Sequence, residues 1–144
     1  MMNDNDANVQ EEISMMDGLV QLSFLVQGVL NRIGAEYELS IIQIRLFGIL
    51  RDRELTMLQL AQYLGLDKSS ITGLISRAER RGLVERRSSR SDRRVIHVKV
   101  TPEGHQLIRV VSGEIERHVR TITDKLNDAE RASFMALASK LIRD

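Results

Sequence analysis

The chain has 144 residues, a length for one domain with a few additional helices. Apolar residues make up 42% and charged residues 28%, a balance that folds into a core rather than staying disordered. Aromatics are only 3%, Trp and Cys are absent and the formal charge is +1, which excludes base-stacking platforms, disulfides, thiolate metal sites and thiol nucleophiles. No apolar run approaches the ~18 residues of a membrane span. The start, MMNDNDANVQEE, is polar and acidic, the reverse of a secretory signal. A cytoplasmic protein with no membrane partner is expected.

In chain order, the periodicity predicts a first helix from Val9 to about Arg32. Ile13, Met16, Val20 and Phe24 recur at three- and four-residue spacing, and Leu19, Leu22, Leu25 and Val29 widen the stripe beyond one face. Such a helix needs more than its own domain to cover it. Ser40 and Gln43 form a capping box that opens a second helix, running to about Arg51. Thr56 and Gln59 repeat the device and open a short helix, Met57 to Leu64, which Gly65 ends with a left-handed turn. Asp67 is a good N-cap for the next helix, which runs to about Arg81 and stops at Gly82.

Two short helices joined by a tight glycine turn suggest a helix-turn-helix. At 100° per residue, Ile71, Leu74, Ile75 and Ala78 of the second cluster into a buried stripe. The opposite face carries Ser69, Gly73, Ser76 and Arg80, flanked by Thr72 and Arg77. That face is small, hydroxylated and basic, a surface able to lie close in a major groove. A solvated helix decorated with serines is the plainer alternative.

After Gly82 the period changes from helical to alternating. Leu83–Arg87 and Val95–Val100 read as two strands around the basic, turn-prone run SSRSDRR. The hairpin tip carries Arg90, Asp92, Arg93 and Arg94, which suits the negative potential of a narrow minor groove. Asp92 makes sense there as a group that holds a neighbouring arginine. Thr101 and Pro102 then open a long helix, as N-cap and first helical residue. Asn127 and Glu130 open a last one, with Phe134, Leu137, Ala138, Leu141 and Ile142 on it.

The small net charge hides a dipole. From Lys68 to Lys99 there are ten basic residues against three acids, a surplus of seven that leaves the rest of the chain at minus six. A basic block on an acidic body is the footprint of polyanion binding. The fold class expected is mostly α with a small β-hairpin wing: a winged helix-turn-helix over 37–101, flanked by helices in 1–36 and 102–144 that serve dimerisation. The unpartnered stripes of the flanking helices are best covered by a second copy, since two-fold homodimers dominate soluble oligomers. Double-stranded DNA is the expected partner.

Other constellations are weak. Glu114 and His118 share a helix face, where a salt-bridged or solvated pair is favoured over a metal site. His97 and His105 add no ligand spacing. No phosphate loop, nucleophile elbow or zinc-protease motif occurs, so neither an enzyme nor a cofactor is expected.

The runs LSIIQ from Leu39, TMLQLAQYLGL from Thr56, DKSSIT from Asp67, RRGLVER from Arg80 and SDRRVIHVKVTPEG from Ser91 resemble the MarR family of bacterial transcriptional regulators. The resemblance is close from Leu39 to Gly104. It implies a two-fold dimer in which each winged helix docks on half of a pseudo-palindromic operator. It assigns DNA contact to Ser69, Ser70, Thr72, Ser76 and Arg77, and minor-groove entry to Arg94, with Arg93 and Asp92 in support. Members of this family usually repress promoters, and many release DNA on binding a small aromatic effector between the dimerisation helices and the DNA-binding lobe.

Overall fold

The computed structural model describes residues 12–143. Its first helix, α1, spans Met15–Glu36 and is capped by Ser14, whose hydroxyl accepts from the Asp17 amide. The expected start at Val9 lies outside the described residues, and the helix continues past Arg32 to Glu36. The end is a hydrogen-bonded reversal: the Leu39 amide donates to the Gly34 carbonyl at 2.8 Å and the Glu38 amide to that of Ala35 at 3.4 Å. Glu38 sits there at φ 56°, a position glycine usually takes. No glycine therefore marks this end in the sequence, and the helix reads one turn short.

The next elements follow their caps. Helix α2 (Ile41–Leu50) and helix α3 (Met57–Leu64) both begin with complete capping boxes, at Ser40/Gln43 and Thr56/Gln59. Gly65, at φ 64°, closes α3 in the left-handed conformation that a side chain would strain. Helix α4 (Lys68–Arg80) starts at Asp67, whose carboxylate accepts from the Ser70 amide at 2.7 Å. Its stripe of Ile71, Leu74, Ile75 and Ala78 is buried as the periodicity requires.

Strand β1 (Leu55–Thr56) has no signal of its own in the sequence. It joins strands β2 (Val84–Ser88) and β3 (Ile96–Val100) in an antiparallel sheet of order β1-β3-β2. Two residues are too few to show alternation, and the pairing that defines β1, Leu55 with Val98, spans the whole helix-turn-helix. In the hairpin Val84 faces Val100 and Ser88 faces Ile96. Val98 and Val100 turn into the core, and together with Leu46, Leu50, Leu60 and Ile75 they make one apolar cluster under α2, α3, α4 and the sheet.

Helix α5 (Pro102–Thr123) starts at Thr101, and helix α6 (Asp128–Ile142) at the Asn127/Glu130 box. The α5 start is fastened to the turn after α4: the Thr101 hydroxyl donates to the Gly82 carbonyl at 2.6 Å and its amide to that of Leu83 at 3.0 Å. Ile108 and Val111 of α5 meet Val29 and Ile33 of α1 in the same core. Further along α5, Ile115 and Ile122 pack against the core half-buried, whereas α1 before Val29 has no buried residue. Helix α6 has no buried residue and is held to the end of α5 by Arg131, which donates to the Thr123 carbonyl and pairs with Asp124 and Asp128.

Candidate nucleic-acid interface

Helix α4 and the hairpin of β2 and β3 carry the basic block. Helix α4 rests its apolar stripe on the core, so its opposite face must look outward. Ser69, Ser70, Thr72, Arg77 and Arg80 are exposed, and Gly73 and Ser76 half-buried. The hydroxyls are held rather than free. Ser69 donates to the Asp67 carboxylate at 3.0 Å and Thr72 to the Lys68 carbonyl at 2.7 Å. The Ser70 amide, then the Ser70 and Ser69 hydroxyls, keep the Asp67 carboxyl below its ordinary pKa. The start of α4 is thus fixed before any ligand arrives. Gly73 leaves room for the guanidinium of Arg77, which a Cβ at that position would meet at 3.3 Å.

The wing is built the same way. Between β2 and β3 the Ser89 amide donates to the Val95 carbonyl at 2.9 Å. Asp92 accepts from the Arg94 amide at 3.0 Å, a side-chain turn that sets the tip. The same carboxylate accepts from Arg94 Nε at 3.2 Å and Nη2 at 3.3 Å. These bonds hold the Asp92 carboxyl below the usual range. Asp92 therefore orients an arginine, as its place in a basic tip requires. Arg94 nevertheless keeps 91% of its side chain exposed. Arg90 and Arg93 are exposed beside it and make no salt bridge among the described residues.

Helix and wing meet at Arg86, which the sequence counted only as a charge. From β2 its guanidinium donates to Glu79 at 2.9 Å and to the Ser76 hydroxyl at 3.3 Å. Its own amide donates to Glu79 as well, at 3.2 Å. The arginine's hydrogen bonds pull the Glu79 carboxyl below its ordinary value. Arg86, Arg94, Lys68 and Thr72 rim an open cleft of about 970 Å³ whose floor is Met57, Ala61, Leu66, Ile71 and Ile96. Arg77 and Arg80 line a neighbouring hollow with Ser40 and Gln43 at the start of α2. Of the expected site residues, Thr72 and Arg94 line the first depression and Arg77 and Arg80 the second, with Ser76 joined to the first through Arg86; Ser69, Ser70, Arg90, Asp92 and Arg93 line neither. The register that brings Arg86 of β2 beside α4 is a tertiary pairing, so spacing alone could not reveal it.

A sequence model of the MarR family matches residues 37–95, the stretch that forms this surface. Over these residues the chain is similar to the MarR family. It is similar to a putative transcriptional regulatory protein for the hcr operon of Thauera aromatica, 32% identical over 84 residues, which are 58% of this chain and 51% of that one. It is also similar to the regulator PecS of Dickeya dadantii, 25% identical over 91% of this chain and 81% of the relative. The match to the Thauera protein therefore spans about half of its length. Among solved structures, transcriptional regulator PA4135 superposes with a TM-score of 0.76 at 26% identity, over 92% of this chain and 100% of its own. The fold is shared as well with the S. aureus MepR–DNA complex (TM-score 0.73, 18% identity, 91% and 98% covered) and with NadR in complex with 4-hydroxyphenylacetate (0.72, 24%, 93% and 96%). The likeness supports the winged-helix architecture, mostly helical with a small antiparallel sheet.

Among the described residues there is no group of three or more potential metal ligands. The Glu114–His118 pair is engaged otherwise: His118 Nδ1 contacts the Glu114 backbone carbonyl at 2.8 Å, and the Glu114 carboxylate pairs with Arg117 at 3.7 Å. Glu114 also faces Tyr37, whose phenol is raised in pKa by hydrogen bonding to that carboxylate and by partial burial. No helix among the described residues is long and apolar enough to cross a membrane.

Proposed function

We propose that this chain is a transcriptional regulator that binds a pseudo-palindromic DNA operator as a homodimer and represses by occupying it. Residues 37–101 are the DNA-binding lobe. Ser69, Ser70, Thr72, Ser76, Arg77 and Arg80 of α4 enter the major groove, and Arg94 enters the minor groove with Arg90, Asp92 and Arg93 around it. The observation that carries the reading is the pairing of two prepared, cationic elements around one cleft: α4, pinned by Asp67, and the wing, pinned by Asp92. Prepositioned donors lose little conformational freedom on binding phosphate or base edges. The DNA complex of MepR, which shares the fold, is consistent with it.

The dimer is supported by what the lobe leaves uncovered. Met16, Leu19, Phe24 and Leu25 of α1 and Phe134, Leu137 and Leu141 of α6 are exposed. Two helices that each expose several large apolar side chains support an association surface. Two-fold pairing through the segments 1–36 and 102–144 covers it and sets two α4 helices on successive major grooves, about 34 Å apart.

Release by a small aromatic effector completes the proposal. It is supported by an apolar hollow of about 120 Å³ between α2 and α5, lined by Leu39, Phe47, Leu107 and Val111, at the joint between lobe and flanking helices. The hollow is smaller than the ~300 Å³ of a typical ligand pocket, so an effector must open it. A ligand that prefers the opened state weakens DNA binding by that preference.

The deciding experiment is footprinting across the DNA upstream of the chain's own gene, with an anisotropy titration of the protected duplex and a random duplex at one stated salt. A protected two-fold site bound at least ~10³-fold tighter than random duplex is expected. Equal affinity for both makes the protein a sequence-indifferent DNA binder, and no retention at low salt ends the DNA reading.

A further inference from the structure

Arg81 lies at the C-cap of α4, exposed in the same hollow as Arg77 and Arg80, yet its guanidinium is tied to backbone carbonyls across the chain. It donates to the Glu38 carbonyl at 2.8 Å and to the Tyr37 carbonyl at 3.0 Å, 43 and 44 residues away. Among the described residues no other side-chain hydrogen bond joins α4 to the α1–α2 corner. The two carbonyls are free to accept because α1 has just ended. Its reversal uses the carbonyls of Gly34 and Ala35, and Glu38 is held left-handed, which turns the next two carbonyls outward. Charged donors on such carbonyls make stronger bonds than neutral ones.

We infer that Arg81 is a positioning residue for DNA docking: its fork on the Tyr37 and Glu38 carbonyls fixes the angle at which α4 stands against α1, and so the separation of the two α4 helices in the dimer. The inference rests on the DNA-binding reading above. It assigns Arg81 a role distinct from that of Arg77, Arg80 and Arg94, whose guanidinium groups face outward. In a two-fold assembly a small tilt of each α4 moves both recognition surfaces off their grooves together. Arg81 therefore acts on the spacing of half-sites rather than on any single phosphate.

The test uses the full chain and duplexes that the wild type selects from a random library. Arg81→Ala is expected to weaken binding about tenfold, the loss of a charge-assisted hydrogen bond. It keeps the wild-type slope of log affinity against log salt, because no phosphate contact is lost. It also flattens the penalty for adding or removing one base pair between half-sites. Arg81→Lys, which still donates to one carbonyl, returns to within about threefold of wild type. Should Arg81→Ala not fold as a dimer, Arg81→Gln is read in the same three ways. A salt slope reduced as in Arg94→Ala overturns the inference in favour of direct phosphate contact, and so does an unchanged spacing penalty. A wild type that selects no duplex overturns the DNA reading itself, whereas normal selection by wild type and Arg81 variants alike overturns only the role of Arg81.

Discussion

The two ends of this molecule are unfinished in opposite ways. The α4–wing end exposes cations, yet its side chains are already tied: Ser69 and Ser70 to Asp67, Arg86 to Glu79 and Ser76, Arg94 to Asp92. The α1–α6 end exposes apolar groups, and hydrogen bonds cannot hold them. Phe24 is 67% exposed and Leu137 62%, while Leu46, Leu60 and Ile75 of the lobe are at 0%. An exposed cation is stable in water and can wait for a partner that comes and goes. An exposed apolar face is costly at all times and calls for a partner that stays. The contrast supports the proposal of a reversible polyanion at one end and a second copy at the other.

The contrast breaks most visibly at the apolar end. Phe24→Glu combined with Leu137→Glu puts charge on the face and leaves the lobe core untouched, so each protomer stays folded and sediments as a monomer. DNA affinity then drops about 10²–10⁴-fold, because two half-sites no longer bind as one ligand. A double variant that remains dimeric by analytical ultracentrifugation would refute the placement of the interface.

At the cationic end the expected effect is smaller. Arg94→Ala removes one guanidinium per protomer from the wing, at about 1–3 kcal/mol of binding each. The dimer and its unfolding midpoint stay as in wild type, since Arg94 is nearly free of the core. The salt slope falls together with the affinity. Full retention of affinity in an anisotropy titration would mean that the wing does not touch DNA.

The joint between the ends is sharper still in packing terms. Gly104 sits where α5 crosses the turn after α4, and a Cβ there would fall inside contact distance of the Leu83 carbonyl and Val100. Gly104→Ala forces the helix off that turn and costs about 1–3 kcal/mol of stability, read as a lower urea midpoint. An unshifted midpoint would show that α5 can slide on the lobe without loss.

These expectations depend unequally on what the sequence discloses. Caps are local, so Ser40, Thr56, Asp67, Thr101 and Asn127 mark helix starts from a few neighbouring residues, and all five cap in the structure. The α4 stripe is equally local. Strand β1 is not, because its partner Val98 lies far along the chain. The same distance hides the roles of Arg86 and Arg81: as letters they are basic residues in a basic block, and only tertiary pairing separates one that grips α4 from one that grips the α1–α2 corner. For the nominated contact residues the sequence supplies the face they share. It is silent on the bonds that hold Ser69, Thr72 and Ser76, since a hydroxyl's partner depends on rotamer and neighbours.

The α1–α2 corner offers a gain rather than a loss. Glu38 is held at φ 56°, where a side chain crowds the backbone and glycine does not. Glu38→Gly is expected to raise stability by up to about 1 kcal/mol, with part of the relief cancelled by the greater freedom of glycine in the unfolded chain. Thermal or urea unfolding checks it. A lowered midpoint would mean that the Glu38 side chain contributes more than its strain costs.

The smallest effect concerns protons, and it belongs to the cationic end. Asp92 and Glu79 have depressed pKa values, caused first by hydrogen bonds from Arg94 and Arg86. A depressed carboxyl contributes stability that is complete above its unfolded pKa, about 3.9 for Asp and 4.3 for Glu. It is lost as pH falls through the lower folded value. The wing and the end of α4 should therefore hold their geometry through the neutral range and loosen only below about pH 4. Both carboxylates are open to solvent, with about 40% of each side chain exposed, so screening keeps the stability change slight. The clean readout is the titration of the Asp92 carboxyl by NMR. In wild type its midpoint lies below the ordinary value, and in Arg94→Ala it moves up towards it. A midpoint that ignores the substitution would show that Asp92 sets the turn without holding the arginine, and the wing would then not be prepared in advance of DNA.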